Sequence, residues 1–241
     1  STHEALARIA SELAHDVARV LLGAPASTAV NAPVPSGPEG ERVLPFLEVA
    51  YRLGRFYPQY ARPARMPSFT LALGGAIAGT PPEPLARAFL SGLLQATTDR
   101  RVSVVNADAI ARELGITVDA RDDTRGSPYA AFVRLVAGDV AIVATSIAGS
   151  PRIVELDGYE IDAIPVGAML ITQHADVPGM IGRVGTILGN ARVNISTMQV
   201  SRNTVGGDAI MVLSTDRPAD EPTLAALRAV PGVGSVRSLA V

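Results

Sequence analysis

From Gly167 to the end of the chain, apolar residues repeat every two positions, then every 3.6, in an order that few folds accept. Gly167 to Gln173 reads as a strand, Pro178-Gly179 as a turn and Met180 to Asn190 as a helix. Val193 to Val200 and Ala209 to Ser214 follow as strands, Glu221 to Val230 as a helix and Val233 to Val241 as a last strand. The order βαββαβ is that of the ferredoxin-like split unit, an antiparallel four-stranded sheet with both helices on one face.

Upstream the pattern changes twice. Residues 4 to 22 place Leu6, Ile9, Leu13, Val17, Val20 and Leu21 at helical spacing, with Thr2 as cap and Gly23 as stop. Ala24 to Gly40 holds four prolines and two glycines, sustains neither helix nor central strand, and reads as a linker. Between them and Pro165, helical runs (Val43, Leu47, Ala50, Leu53, Gly54; then Leu85, Phe89, Leu93, Leu94) mix with strands at Phe69 to Leu73, Val102 to Val105 and Ala130 to Val136. Ala137-Gly138-Asp139 joins Phe132 to Val136 and Val140 to Ser146 as a hairpin. The fold class is therefore α+β, divided into a leading helix over 1–23, a linker over 24–40, an α+β domain over 41–165 and the βαββαβ domain over 166–241.

Composition removes several functions. With 48% hydrophobic residues, 241 residues bury a sizeable core. There is no cysteine, hence no disulfide or thiolate chemistry, and His3, His15 and His174 stand too far apart to spell a zinc motif, so no metal is expected. A net charge of −2 with scattered aromatics gives no footprint for nucleic acid. All 21 basic residues are Arg, which genomic base composition explains as readily as function. No apolar run reaches the ~18 residues that span a bilayer, so no membrane partner is expected and the composition fits a cytoplasmic protein. The chain opens Ser1-Thr2-His3 without methionine, as a processed chain or a fragment does.

The segment Met169-Leu-Ile-Thr-Gln-His174-Ala-Asp176-Val-Pro178-Gly179-Met-Ile-Gly182, with Gly185-Thr-Ile-Leu-Gly-Asn190 and Val193-Asn194-Ile195, resembles an ACT domain of the phosphoglycerate dehydrogenase type. Val104-Val-Asn106-Ala, Glu113-Leu-Gly-Ile116 and Ile153-Val-Glu-Leu-Asp-Gly158 are similar to the intervening domain of long-form D-3-phosphoglycerate dehydrogenases. Ser1-Thr2, the Ala-rich helix and Ala29-Val30-Asn31-Ala32-Pro33 are similar to the last helix of that family's catalytic core and the strand leaving it. The resemblance thus covers essentially the whole chain and implies a C-terminal regulatory portion. It places the catalytic histidine and the NAD-binding unit upstream of Ser1, so no catalytic residue and no cofactor is expected here, while the parent enzyme uses NAD. Gly74-Gly75-Ala-Ile-Ala-Gly79 has the wrong glycine spacing for a dinucleotide fingerprint, and Gly179-x-x-Gly182-x-x-Gly185 is read instead as letting a helix pack closely on a sheet.

The turn after the first strand of the last domain suits a free amino acid, whose ammonium needs an acceptor and whose carboxylate needs donors. Asp176 serves the ammonium, Asn194 offers donor and acceptor, His174 can donate, and the helix after Pro178-Gly179 presents N–H groups to an anion. The resemblance matches His174, Asp176 and Asn194 to positions that contact a serine effector. Read as residues alone, Asp176 is equally a helix cap, Asn194 a turn former and His174 a solvated strand end. In the intervening domain Arg152 is the one candidate for an anion site, with Glu160 nearby to repel a phosphate or carboxylate.

The expected role is regulation of an oligomeric enzyme of serine biosynthesis, as a homodimer or homotetramer, by L-serine or another small amino acid. Two rivals stay open: a free-standing amino-acid sensor, and a subunit of a serine dehydratase, whose iron–sulfur chemistry the missing cysteines disfavour.

Overall fold

The computed structural model describes residues 37–241 and, before them, Ala10, Leu13 and Ala14, which are helical. The rest of the helix expected over 4–22, and the strand expected at Ala29 to Pro33, lie outside the described residues. The first long element is α1 (Pro38–Ala61), so Pro38, Glu39 and Gly40, assigned above to the linker, form its opening turn. A proline in the first turn loses only an N–H that the turn leaves unbonded, and Glu39 and Glu41 suit the positive end of the helix dipole.

After α1 come β1 (Phe69–Gly75), α2 (Glu83–Thr97), α3 (Ala107–Glu113), β2 (Val118–Asp122), β3 (Ala131–Ala137), β4 (Val140–Ile147), β5 (Ser150–Leu156) and β6 (Tyr159–Ala163). The six strands form one sheet in the order β2-β1-β3-β4-β5-β6, with β1 and β2 parallel and the other pairs antiparallel. Gly138 and Asp139 make the tight β3–β4 turn that the sequence foretells. Val102 to Val105 is a correction: instead of a strand it is largely a turn leading into α3. Asn106 Oδ1 accepts the Ser103 N–H at 2.8 Å and its Nδ2 donates to the Arg101 carbonyl at 3.0 Å, which leaves Val104 and Val105 exposed. Helices α1 and α2 cross with their backbones nearly touching, because Gly54 faces the Phe89 carbonyl and Gly92 faces the Tyr51 carbonyl. Phe69 seals the layer between them, edge-on to both Tyr57 and Phe89 with ring centroids 5.1 Å away.

The second unit follows the expected order: β7 (Ala168–Ala175), α4 (Met180–Asn190), β8 (Ile195–Arg202), β9 (Asp208–Thr215), α5 (Glu221–Arg228) and β10 (Val233–Ala240). Its antiparallel sheet runs β10-β7-β9-β8. One face, with Leu170, Met211, Leu213 and Val236, packs under α4 and α5 through Val184, Leu188, Leu224 and Leu227. The other face, with Met169, Ile171, Ile210, Val212 and Leu239, joins the core of the first domain beside α1. The central strands β7 and β9, buried on both faces, are thereby held between the sheet's own helices and the preceding domain.

Candidate functional site

β7 carries His174 and Ala175 to the end of the sheet, and Asp176 to Gly179 turn the chain into α4. Gly179 sits at φ 84° just before the helix, a backbone conformation that costs an L side chain and costs glycine little. The turn is tied on both sides: Ala175 N–H donates to Gly232 O and Asp176 N–H to Gly207 O, each at 2.8 Å. Arg183 reaches back from α4 to the carbonyls of Pro178 and Gly179 at 3.3 and 3.4 Å. The first backbone bond into α4 is Arg183 N–H to Gly179 O at 3.1 Å, so the preceding amides of Ile181 and Gly182 stand at the positive end of the helix. Beside this turn opens a concavity of about 470 Å³ lined by His174, Asp176, Gly179, Ile181, Arg202 and Gly206, among others.

His174 is 4% exposed, so it is a buried residue and not a solvated strand end. Its Nδ1 lies 2.9 Å from the Ala175 carbonyl, which can only accept, so Nδ1 carries the hydrogen. In the neutral ring Nε2 is then an acceptor, and it is shielded from solvent with no hydrogen-bond partner. The sequence reading of His174 as a donor is therefore corrected for the neutral ring, whose free nitrogen takes a hydrogen bond. A buried polar atom without a partner is uncommon and costly, and here its residue lines a cavity.

Asp176 does not cap α4, whose N-cap is Gly179 with no side-chain bond. Its Oδ2 accepts from Arg202 Nη1 at 2.9 Å and from the Gly206 N–H at 3.3 Å. The Arg202 hydrogen bond, helped by the Gly206 amide, holds the carboxyl below its usual range despite a counteracting desolvation. Arg202 was not singled out from the sequence. It is one arginine among 21, at the end of a strand, and only the β8–β9–β7 register, Arg202 against Ala209 and Ala209 against His174, brings it to Asp176.

Asn194 is elsewhere. Ile195, next to it, pairs with Thr215, and Thr215 pairs with Ala168 at the start of β7, six residues before His174. At ~3.4 Å per strand residue that is about 20 Å from the turn. Asn194 is exposed, and the bonds that fix its turn are made by its backbone with Asp216, to Oδ1 at 2.9 Å and from the Asp216 N–H at 3.0 Å. One chain thus brings His174, Asp176, Pro178 and Gly179 together and leaves Asn194 out. Arg152 lies in the β5–β6 hairpin of the other domain, its Nη1 donating to Asp162 Oδ1 at 2.9 Å and its buried Nε without a partner.

The first glycine run does not suit a dinucleotide. An added Cβ on Gly74 would lie 2.1 Å from the Phe132 ring, and the Gly79 amide already donates to Asp122 at 2.8 Å, so no phosphate fits the first. Gly182 and Gly185 meet nothing within 4 Å, which corrects the reading that they let α4 approach the sheet; Met180, Val184 and Leu188 make that contact. Among the described residues no group of three or more His, Asp or Glu is placed to hold a metal, and no helix is long and apolar enough to cross a membrane.

The D-3-phosphoglycerate dehydrogenase intervening domain matches residues 42–157, and the ACT domain matches residues 168–232. The chain is 37% identical over 239 residues to the D-3-phosphoglycerate dehydrogenase of Synechocystis sp., covering 97% of this chain and 43% of that protein. It is 34% identical over 242 residues to the D-3-phosphoglycerate dehydrogenase of Bacillus subtilis, covering 98% and 46%. With that of Methanocaldococcus jannaschii it shares 32% identity over 241 residues, covering 98% and 45%. The chain spans less than half the length of each of these relatives.

Proposed function

From the premise that the chain belongs to the D-3-phosphoglycerate dehydrogenase family, as its intervening domain followed by an ACT domain, we propose that it is the enzyme's regulatory portion and binds L-serine as feedback effector. The complete enzyme on this reading oxidises 3-phosphoglycerate with NAD in the first step of L-serine biosynthesis, in the cytoplasm. On the same reading the cofactor-binding and catalytic residues belong to the rest of the enzyme, so this portion is inactive alone. The observation that carries the effector reading is the buried His174, which lines the same cavity as Asp176 and the start of α4 and whose Nε2 has no hydrogen-bond partner. An amino acid supplies what each lacks: an ammonium for Asp176, a carboxylate for the positive groups, and a donor for Nε2.

Asn194 enters such a site only from a second copy. β8 is an edge of its sheet, with β9 on one side alone, and an exposed edge invites pairing. Antiparallel pairing of β8 with its counterpart about Met198 sets Asn194 of the second copy opposite Arg202, at the mouth of the cavity. The half-exposed Val177, Ile181 and Val200 around that mouth are apolar surface that a homodimer covers. Higher assembly to a tetramer is compatible with the same edge contact.

Thermal unfolding with and without L-serine tests the reading. A ligand held by the folded state at about 100 times its Kd stabilises by about 2.7 kcal/mol, a rise of several degrees in Tm. Unfolding unmoved by about 10 mM L-serine contradicts it, since that concentration exceeds any useful Kd for a metabolic effector.

A further inference from the structure

We infer that Arg202 is a ligand-binding residue of this site: it takes the carboxylate of the bound amino acid while its ion-pair partner Asp176 takes the ammonium. The inference rests on the amino-acid reading above and adds to it a residue and a division of labour.

The guanidinium of Arg202 uses Nη1 for Asp176 Oδ2, and its remaining N–H groups have no protein acceptor among the described residues. Its side chain is half exposed, at 54%, at the mouth of the cavity, against 24% for Asp176. Asp176 in turn commits Oδ2 to Arg202 and the Gly206 amide and keeps Oδ1 free. The pair therefore presents one unused acceptor edge beside an unused donor fork, and the two charged ends of an α-amino acid are a single carbon apart. A zwitterion laid across the pair meets opposite charge at both ends, and a guanidinium fork matches a carboxylate in shape as well as charge. The cavity behind the pair holds the second, independent sign of a ligand, the buried Nε2 of His174 that nothing in the protein satisfies. With head groups fixed at Asp176 and Arg202, a short side chain enters the cavity that His174 lines, where a donor would satisfy an acceptor left without a partner, which favours a hydroxyl over a methyl. The α4 amides assist the carboxylate as partial charges, but they lack the directional fork that tells a carboxylate from an ester.

That distinction supplies the experiment. Titration calorimetry on this chain compares L-serine with L-serine methyl ester, which keeps the ammonium and hydroxyl and removes the negative charge. The comparison is made for the wild type, Arg202→Met and Arg202→Lys, with thermal melts to verify folding. Methionine preserves the apolar stem while deleting the donors. The wild type is expected to prefer L-serine by about 30-fold or more, Arg202→Met to lose most of that preference by weakening L-serine alone, and Arg202→Lys to fall between. An Arg202→Met protein that keeps the preference overturns the inference and leaves the effector site standing. Equal loss of both ligands also overturns it, as the mark of a residue that only braces Asp176. If the wild type binds neither compound, the amino-acid reading itself is what fails.

Discussion

Gln59 and Ala240 exchange hydrogen bonds in both directions, Gln59 Nε2 donating to the Ala240 carbonyl at 2.9 Å and Oε1 accepting the Ala240 N–H at 2.7 Å. A side-chain amide near the end of α1 thereby stands in for a strand neighbour of β10 and links the two domains across 181 positions. Arg237 of β10 adds to the seam by lying over the Tyr60 ring, 4.7 Å from its centroid, while the Tyr60 hydroxyl donates to Asp157 at 2.6 Å. We expect Gln59→Ala to cost about 1 kcal/mol in chemical denaturation and to speed hydrogen exchange of the Ala240 amide. Unchanged exchange at Ala240 would show that the seam does not depend on this pair.

Arg134 and Asp123 form a buried ion pair, at 2.8 Å with side chains 8% and 2% exposed. Burial pushes the Asp123 carboxyl up, but the Arg134 hydrogen bond and the amides of Gly126 and Arg125 outweigh it and hold it below its usual range. Because the folded carboxyl is the stronger acid, its contribution is complete above the ordinary aspartate value and fades as pH falls through the folded one. Arg134→Met is therefore expected to lose about 3–5 kcal/mol at neutral pH, by stranding a buried carboxylate. The gap from wild type narrows in urea melts taken at progressively lower pH, and a gap independent of pH would contradict the assignment.

Two glycines in helices predict opposite outcomes for the same substitution. Gly92→Ala puts a Cβ 2.0 Å from the Tyr51 carbonyl, so α1 and α2 must part. The overpacking, about 1–3 kcal/mol, exceeds the gain of up to about 1 kcal/mol in helix propensity. Gly185→Ala meets nothing within 4 Å and keeps only the propensity gain, about 0.5–1 kcal/mol of added stability. Calorimetric Tm values moving in the same direction for both would refute the packing argument.

The ACT half is legible in the sequence because its helices and strands carry clean periods and end at Gly179, Asp220 and Gly232, whose backbone or capping chemistry is local. β2 is not, since Val118 to Asp122 is a short, mostly polar edge strand that turns only the half-buried Val118 and Ala120 to the core. The β5–β6 hairpin, by contrast, turns on Asp157-Gly158, at φ 49° and 83°, an Asp-Gly pair of the kind that tight hairpins favour and that can be read from sequence. At the site, His174, Asp176 and Gly179 are neighbours in sequence and could be found together. Asn194 lies apart from them within one chain for a reason the strand order already contains: β7 and β8 run the same way, so the start of β8 lies at the end of the sheet remote from His174. Arg202 becomes visible only when that register is known.

Titration calorimetry of L-serine against the wild type and Asp176→Ala addresses the central claim most directly, because the substitution removes the only side-chain carboxylate among the described residues lining the cavity, without touching a core residue. The account predicts measurable binding to the wild type, weakened at least about tenfold in Asp176→Ala, with Asp176→Asn between them because an amide still accepts a hydrogen bond. Undiminished binding to a folded Asp176→Ala protein would contradict it.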